Sequence, residues 1–253
     1  MDWQKAILTK ETQLAPDVKA LTFAFEAAQV FLPGQYYELR LLGAQSDRPY
    51  SVASAPIHNR ELEFAIQLLP GGKVSPLLWD LKVGDSIEAR GPWSEEIIWR
   101  SNLPFSELQK PTLLIGGGTG VAPLISILRH EAEARSNRHI TALFSFKTKA
   151  DWLYRQEIEQ FAKAQANWQF IITFTQISYS DVLPSTTLRI NENMRIRLHF
   201  DRIDQALLET IFTSRREVPR VYVCCGTAFV EFITQQLLLL NVDFQNVFAE
   251  RFG

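Results

Sequence analysis

Val18-Lys19-Ala20-Leu21-Thr22-Phe23-Ala24-Phe25 alternates polar and apolar side chains. That period of two predicts a strand with one face in a core and the other in water. Residues 36–41, 62–67 and 86–90 repeat the style, and Pro33-Gly34, Pro70-Gly71-Gly72, Gly84-Asp85 and Gly91-Pro92 separate the runs as turns. Short strands at this spacing predict a small antiparallel barrel over residues 1–105, with a brief helix at 75–81.

After Pro104 the pattern changes. Thr112-Leu113-Leu114-Ile115 is apolar throughout, as expected of a strand covered on both faces. Strands at 112–115, 140–144, 170–174 and 221–224 alternate with helices at 122–135, 152–166, 203–212 and 228–240. This alternation predicts a doubly wound parallel sheet over residues 106–253. The fold class is therefore α+β with two domains, an antiparallel β-barrel followed by an α/β domain. The boundary is expected at 104–111, where Pro104 and Pro111 bracket a polar stretch, and 176–199 is left without assigned structure.

Composition narrows the chemistry. A net charge of −2 supplies no strong field for nucleic acid or an acidic membrane. The longest leucine run, at 237–240, is far short of the ~20 apolar residues that cross a bilayer. Met1-Asp2-Trp3-Gln4-Lys5 has none of the apolar character of a signal peptide, so a cytoplasmic protein is expected. The two cysteines, Cys224 and Cys225, are too few for an iron–sulfur cluster or a structural zinc site, and the four histidines lack ligand spacing. No metal site is expected.

Two segments carry candidate chemistry. Arg48-Pro49-Tyr50-Ser51 sets a cation, a ring and a hydroxyl along one strand, where Pro49 predicts an edge or an end. Arginine suits phosphate oxygens, tyrosine can stack on a flat heterocycle, and serine can bond its rim. An Arg–carboxylate surface pair beside a core tyrosine fits these residue types equally well. Gly116-Gly117-Gly118-Thr119-Gly120-Val121-Ala122-Pro123 lies between a predicted strand and a predicted helix. There the backbone can approach a pyrophosphate and the helix dipole can face it.

Arg48-Pro49-Tyr50-Ser51-Val52-Ala53-Ser54 resembles the flavin motif of the ferredoxin–NADP reductase superfamily. The resemblance runs through Pro70-Gly71-Gly72-Lys73-Val74-Ser75, Val83-Gly84-Asp85, Gly91-Pro92, the glycine turn and Cys225-Gly226-Thr227, in that order. It implies that Arg48 holds the flavin phosphate, Tyr50 stacks on the isoalloxazine and Ser51 bonds near N5, with Pro49 between them. It further implies that Gly72, Lys73, Val74 and Ser75 clasp the FAD pyrophosphate. Gly117, Thr119, Gly120 and Pro123 are then expected to receive a nicotinamide nucleotide, with Cys225 and Gly226 beside the nicotinamide. Glu250 is expected as a polar catalytic neighbour of Ser51 and Cys225, and Phe252 as a gate over the flavin. One departure is local: Trp93 is followed by Ser94-Glu95-Glu96 where the family commonly has glycine.

The expected function is an FAD-dependent NAD(P)H oxidoreductase that hands electrons to a separate acceptor such as ferredoxin or flavodoxin. A reductase using flavin as a diffusible substrate, and a non-catalytic flavin-binding subunit, are the alternatives. Lys147 and Arg155 follow the second strand of the sheet, where a 2′-phosphate would be read, but the local spacing also resembles NADH-using reductases. The coenzyme is left as NAD(P)H.

Overall fold

The computed structural model describes residues 1–94, 96–99, 110–176, 189–190, 195–213 and 217–252. Most of the expected boundary at 104–111 lies outside them. By internal contacts the chain divides into two units, residues 1–100 with 122–134, and residues 101–121 with 135–253.

The first unit holds six antiparallel strands: β1 (Gln4–Ala15), β2 (Val18–Phe25), β3 (Tyr36–Leu41), β4 (Arg48–Ser51), β5 (Glu61–Gln67) and β6 (Ser86–Trp93). Their order is β4-β3-β6-β1-β2-β5. Past Ser51, Val52 bridges to Phe64 of β5, which joins the two ends of the sheet and closes the barrel. Leu8, Leu21, Phe23, Tyr37, Leu39 and Phe64 fill its interior. Phe64 meets Phe23 and Tyr37 at ring-centroid distances of 6.3 and 6.1 Å, pairs worth about 0.5–1.5 kcal/mol each beyond burial.

A five-residue helix, α1 (Ser75–Trp79), follows the Pro70-Gly71-Gly72 turn. The same unit includes α2 (Ala122–Glu133). Leu124, Ile125, Ile127 and Leu128 of α2 are all buried.

The second unit is built on β7 (Thr112–Gly117), β8 (Ile140–Phe146), β9 (Trp168–Phe174), β10 (Arg189–Ile190), β11 (Ile196–His199), β12 (Arg220–Gly226) and β13 (Val247–Phe252). Six of these are parallel in the order β11-β9-β8-β7-β12-β13, and β10 adds antiparallel to β11 at the edge. The helices are α3 (Arg155–Ala164), α4 (Gln205–Thr213) and α5 (Thr227–Leu239). Leu113, Ile115, Val221 and Val223 form one sheet face with apolar side chains of α4 and α5 against them. The chain steps outward from β7 through β8 and β9 to β11, then returns to β12 on the other side. The order thus reverses between β7 and β12, and open α/β sheets bind ligands outside the strand ends at such a point.

Candidate flavin and nucleotide sites

β4 lies at the end of the strand order, as Pro49 requires, and among the described strands pairs only with β3. Arg48 and Pro49 are exposed, Tyr50 is half-buried and Ser51 is buried. Arg48 Nη1 donates to the Asp47 carbonyl at 2.7 Å. Tyr50 packs on the barrel core. Burial pushes its phenol up to about 12, with the Arg48 charge opposing that rise. The Ser51 hydroxyl is buried and has no hydrogen-bond partner among the described residues. A buried unpaired hydroxyl costs about 1–3 kcal/mol, so this position suits a ligand that supplies the missing bond. The sequence residues fit a flavin rim here.

At the expected pyrophosphate clasp, Gly71 adopts φ +77°, open to glycine at no steric cost. Gly72 N donates to the Leu69 carbonyl at 2.9 Å. A Cβ on Gly72 would sit 3.0 Å from that carbonyl and 3.1 Å from Ser75 Oγ. Ser75 Oγ in turn accepts from Leu69 N at 3.2 Å. The Ser75 hydroxyl therefore shapes the turn, while Lys73 stays exposed and Val74 is buried at the head of α1.

The glycine turn ends β7 and continues as a 3₁₀ turn over Gly118–Val121. Each glycine has its own reason. A Cβ on Gly117 would lie 2.8 Å from Cys225 Sγ, and one on Gly120 would lie 2.2 Å from the Cys224 carbonyl oxygen. Gly118 is exposed at φ +52°, and a Cβ there would meet nothing within 4 Å. The turn is packed tightly against β12 on one side and presents open backbone on the other. Thr119 is half-buried in it, and Pro123 is buried in the first turn of α2.

Cys225 Sγ donates to the Gly117 carbonyl at 3.4 Å, so the expected thiol does sit beside the glycine turn. Burial pushes its pKa up, and hydrogen bonding with the backbone of Gly226 and Gly117 partly offsets this. The net shift favours the neutral thiol. Cys224 is fully buried and is pushed up further, by burial first and then by the Glu250 and Cys225 charges.

The C-terminal residues form a strand paired parallel with β12, in the register Cys224–Glu250, Cys225–Arg251 and Gly226–Phe252. Side chains alternate faces along a strand. Buried Glu250 therefore shares a face with Cys224, and Cys225 shares the opposite face with Arg251. Phe252 is half-buried beside Gly226 at the end of the sheet. Lys147 is exposed just beyond β8. Arg155 is held by Glu159 at 2.9 Å and lies 5.0 Å over the Trp152 ring. Among the described residues, no group of three His, Cys, Asp or Glu side chains is arranged to hold a metal ion.

Two family models match: an oxidoreductase FAD-binding domain over residues 5–96 and an oxidoreductase NAD-binding domain over residues 114–235. A ferredoxin–NADP reductase B from Sorangium cellulosum is 32% identical over 176 residues, covering 68% of this chain and 70% of that protein. The chain belongs to the ferredoxin–NADP reductase superfamily. It is also 35% identical over 153 residues to the reductase component of a propane 2-monooxygenase from Mycolicibacterium goodii. That match covers 60% of this chain and 42% of the relative, so the chain spans less than half of that protein. The flavohaem-like FAD/NAD-binding domain of a Vibrio cholerae nitric oxide dioxygenase has the same fold, with a TM-score of 0.78 at 22% identity over the whole of both chains.

Four residues with structural roles in the first unit were not legible in the sequence. Ser126 and Arg129 of α2 bond to the segment that follows Ser51, and Glu131 of α2 accepts from the Trp99 indole within the same unit. The available signal was a serine inside the apolar run Leu124-Ile125-Ser126-Ile127-Leu128 and a carboxylate one turn later.

Proposed function

We propose that this superfamily member is a flavin-dependent reductase, with FAD serviced by residues 1–105 and a nicotinamide coenzyme by residues 106–253. Bound together, the two cofactors supply hydride transfer from nicotinamide C4 to flavin N5, and the flavin can then release electrons singly. The protein's task is to fix distance and orientation. Arg48 binds the flavin phosphate, Tyr50 lies against the ring, and Ser51 donates its hydroxyl to the ring edge. Gly72 to Ser75 receive the pyrophosphate, and Gly117 to Gly120 receive the nucleotide. Cys225 borders the nicotinamide as a neutral thiol, Glu250 contributes its charge from the other sheet face, and Phe252 covers the approach.

The observation that carries this reading is the buried Ser51 hydroxyl, without a partner among the described residues, inside the flavin-motif strand. The acceptor is proposed as a separate one-electron carrier of the ferredoxin or flavodoxin kind, a reading supported by the name of the Sorangium cellulosum relative, a ferredoxin–NADP reductase. No helix among the described residues is long and apolar enough to cross a membrane. A cytoplasmic location is proposed because both cysteines are free thiols, which suits a reducing compartment. Coenzyme choice rests on Lys147, since Arg155 is engaged within its own helix.

The test is direct. Purified protein mixed with FAD and passed through gel filtration should stay yellow, and NADH or NADPH should bleach it anaerobically. Reoxidation by ferredoxin or flavodoxin should follow. Colourless protein after reconstitution would end the proposal, and flavin lost on the column would indicate that flavin is a diffusible substrate.

A further inference from the structure

The segment that leaves the flavin motif is held by helix α2. Val52 N donates to the Gln35 carbonyl at 3.0 Å, and Ala53 N donates to the Glu63 carbonyl at 2.8 Å. Glu63 N donates to Ser54 Oγ at 3.0 Å. Two side chains of α2 complete the set. Ser126 Oγ donates to the Ser54 carbonyl at 2.7 Å. Arg129 Nη1 donates to the Ala53 carbonyl at 3.0 Å and pairs with Glu63 Oε1 at 2.9 Å. Ser54 and Ser126 are buried, and the Arg129 and Glu63 side chains are each 18% exposed. An ion pair at that depth is screened less by water than a surface pair.

These bonds act on backbone two and three residues beyond Ser51, whose own hydroxyl has no hydrogen-bond partner among the described residues. The position of that hydroxyl is therefore set by backbone on either side. Upstream it is β4 paired with β3, and downstream it is the segment 52–54. β4 is a short strand of four residues with one ladder partner and a proline inside it. The downstream hold therefore matters more than it would for a central strand.

We propose that Arg129 and Ser126 are positioning residues for hydride transfer, fixing the Ser51 hydroxyl at the flavin N5 edge through the Ala53 and Ser54 carbonyls. This rests on the flavin reading above. Arg129 does not touch the flavin. It acts by denying the 52–54 segment freedom to move. A misplacement near 1 Å at a reacting edge can cost about a hundredfold in rate; partial loosening by loss of one of two anchors is expected to cost about tenfold.

The experiment is a double-mutant cycle on reconstituted holoprotein. Arg129→Ala, Arg129→Lys and Ser126→Ala are each made alone and with Ser51→Ala. Anaerobic stopped-flow bleaching of the flavin is followed across coenzyme concentrations. Arg129→Ala should retain FAD and slow the limiting rate about tenfold, with little change in the coenzyme concentration for half-maximal rate. Arg129→Lys should recover part of the loss. In the Ser51→Ala background the same substitutions should change the rate less than twofold, because the group they position is gone. If they slow that background equally, or leave the limiting rate unchanged, the proposal is overturned. Should Arg129→Ala fail to fold, Ser126→Ala and Arg129→Lys carry the same test. Failure of the unsubstituted protein to bind FAD would refute the flavin reading itself, and is seen before any variant is made.

Discussion

Replacing Gly120 with alanine drives a methyl group into the backbone of the neighbouring strand. The added Cβ would lie 2.2 Å from the Cys224 carbonyl oxygen, 2.8 Å from its carbonyl carbon and 2.9 Å from Cys225 Cα. The first is more than an ångström inside ordinary contact, and all three atoms are main chain in a strand paired on both sides. No side-chain rotation relieves it, so β12 or the turn must move. Overpacking of this kind costs about 1–3 kcal/mol, and rigid backbone on both sides puts it near ~3. At about 2–4 °C per kcal/mol, the second unit should melt roughly 6–12 °C lower. Gly118→Ala is the control. It meets open space, and its only penalty is the left-handed backbone at φ +52°, about 1–2 kcal/mol. Its methyl projects from the exposed side of the turn, so it should weaken nucleotide binding more than stability. Circular dichroism melts and nucleotide titrations on both variants separate the effects. The packing account is refuted if Gly120→Ala melts within about 2 °C of the parent, or if Gly118→Ala is the less stable variant.

Three further outcomes follow from the same geometry. Ser51→Ala should leave the flavin-free protein as stable or up to about 1 kcal/mol more stable, since it removes a buried unpaired hydroxyl; denaturant titration with and without FAD reads this, and destabilisation of the flavin-free form would contradict it. Cys225 should be alkylated slowly by iodoacetamide at neutral pH and react only above the ordinary thiol range of about 8.5, because burial raises its pKa; rapid labelling at pH 7, followed by mass spectrometry, would show a thiolate instead. Tyr50, raised from 10.0 to about 12, should contribute stability that is fully present below pH 10 and lost as pH climbs toward 12. Tyr50→Phe should flatten that alkaline slope in pH-dependent melts, and an unchanged slope would argue against the raised phenol.

Much of the fold was readable because local chemistry determines it. β2 and β3 occupy the residues predicted from alternation, since one face of each meets the core and the other is more open. β1 escaped individual prediction because most of its twelve residues are exposed, which erases the alternation. Strand β11 fell inside a stretch assigned no structure. Helix α3 begins three residues later than its apolar pattern suggested, because Tyr154 caps it in the left-handed region at φ +55°. In the candidate site, contacts local to a motif were legible and long-range register was not. That Glu250 faces Cys224, on the opposite side of the sheet from Cys225, depends on how β13 aligns with β12, and nothing within either strand encodes that offset. The hold of α2 on the 52–54 segment is likewise a contact between residues more than seventy positions apart.

That hold has a consequence for the order in which the protein is made. The first unit needs α2, yet the ribosome delivers α2 only after β7, the opening strand of the second unit, has already emerged. Until Glu133 is out, the Ala53 and Ser54 carbonyls, the Glu63 carboxylate and the Trp99 indole wait for their partners. The nascent barrel is thus finished by a segment borrowed from downstream. A fragment cut at the barrel's apparent end would carry the flavin motif without the helix that steadies it, and should retain flavin less well than the full chain.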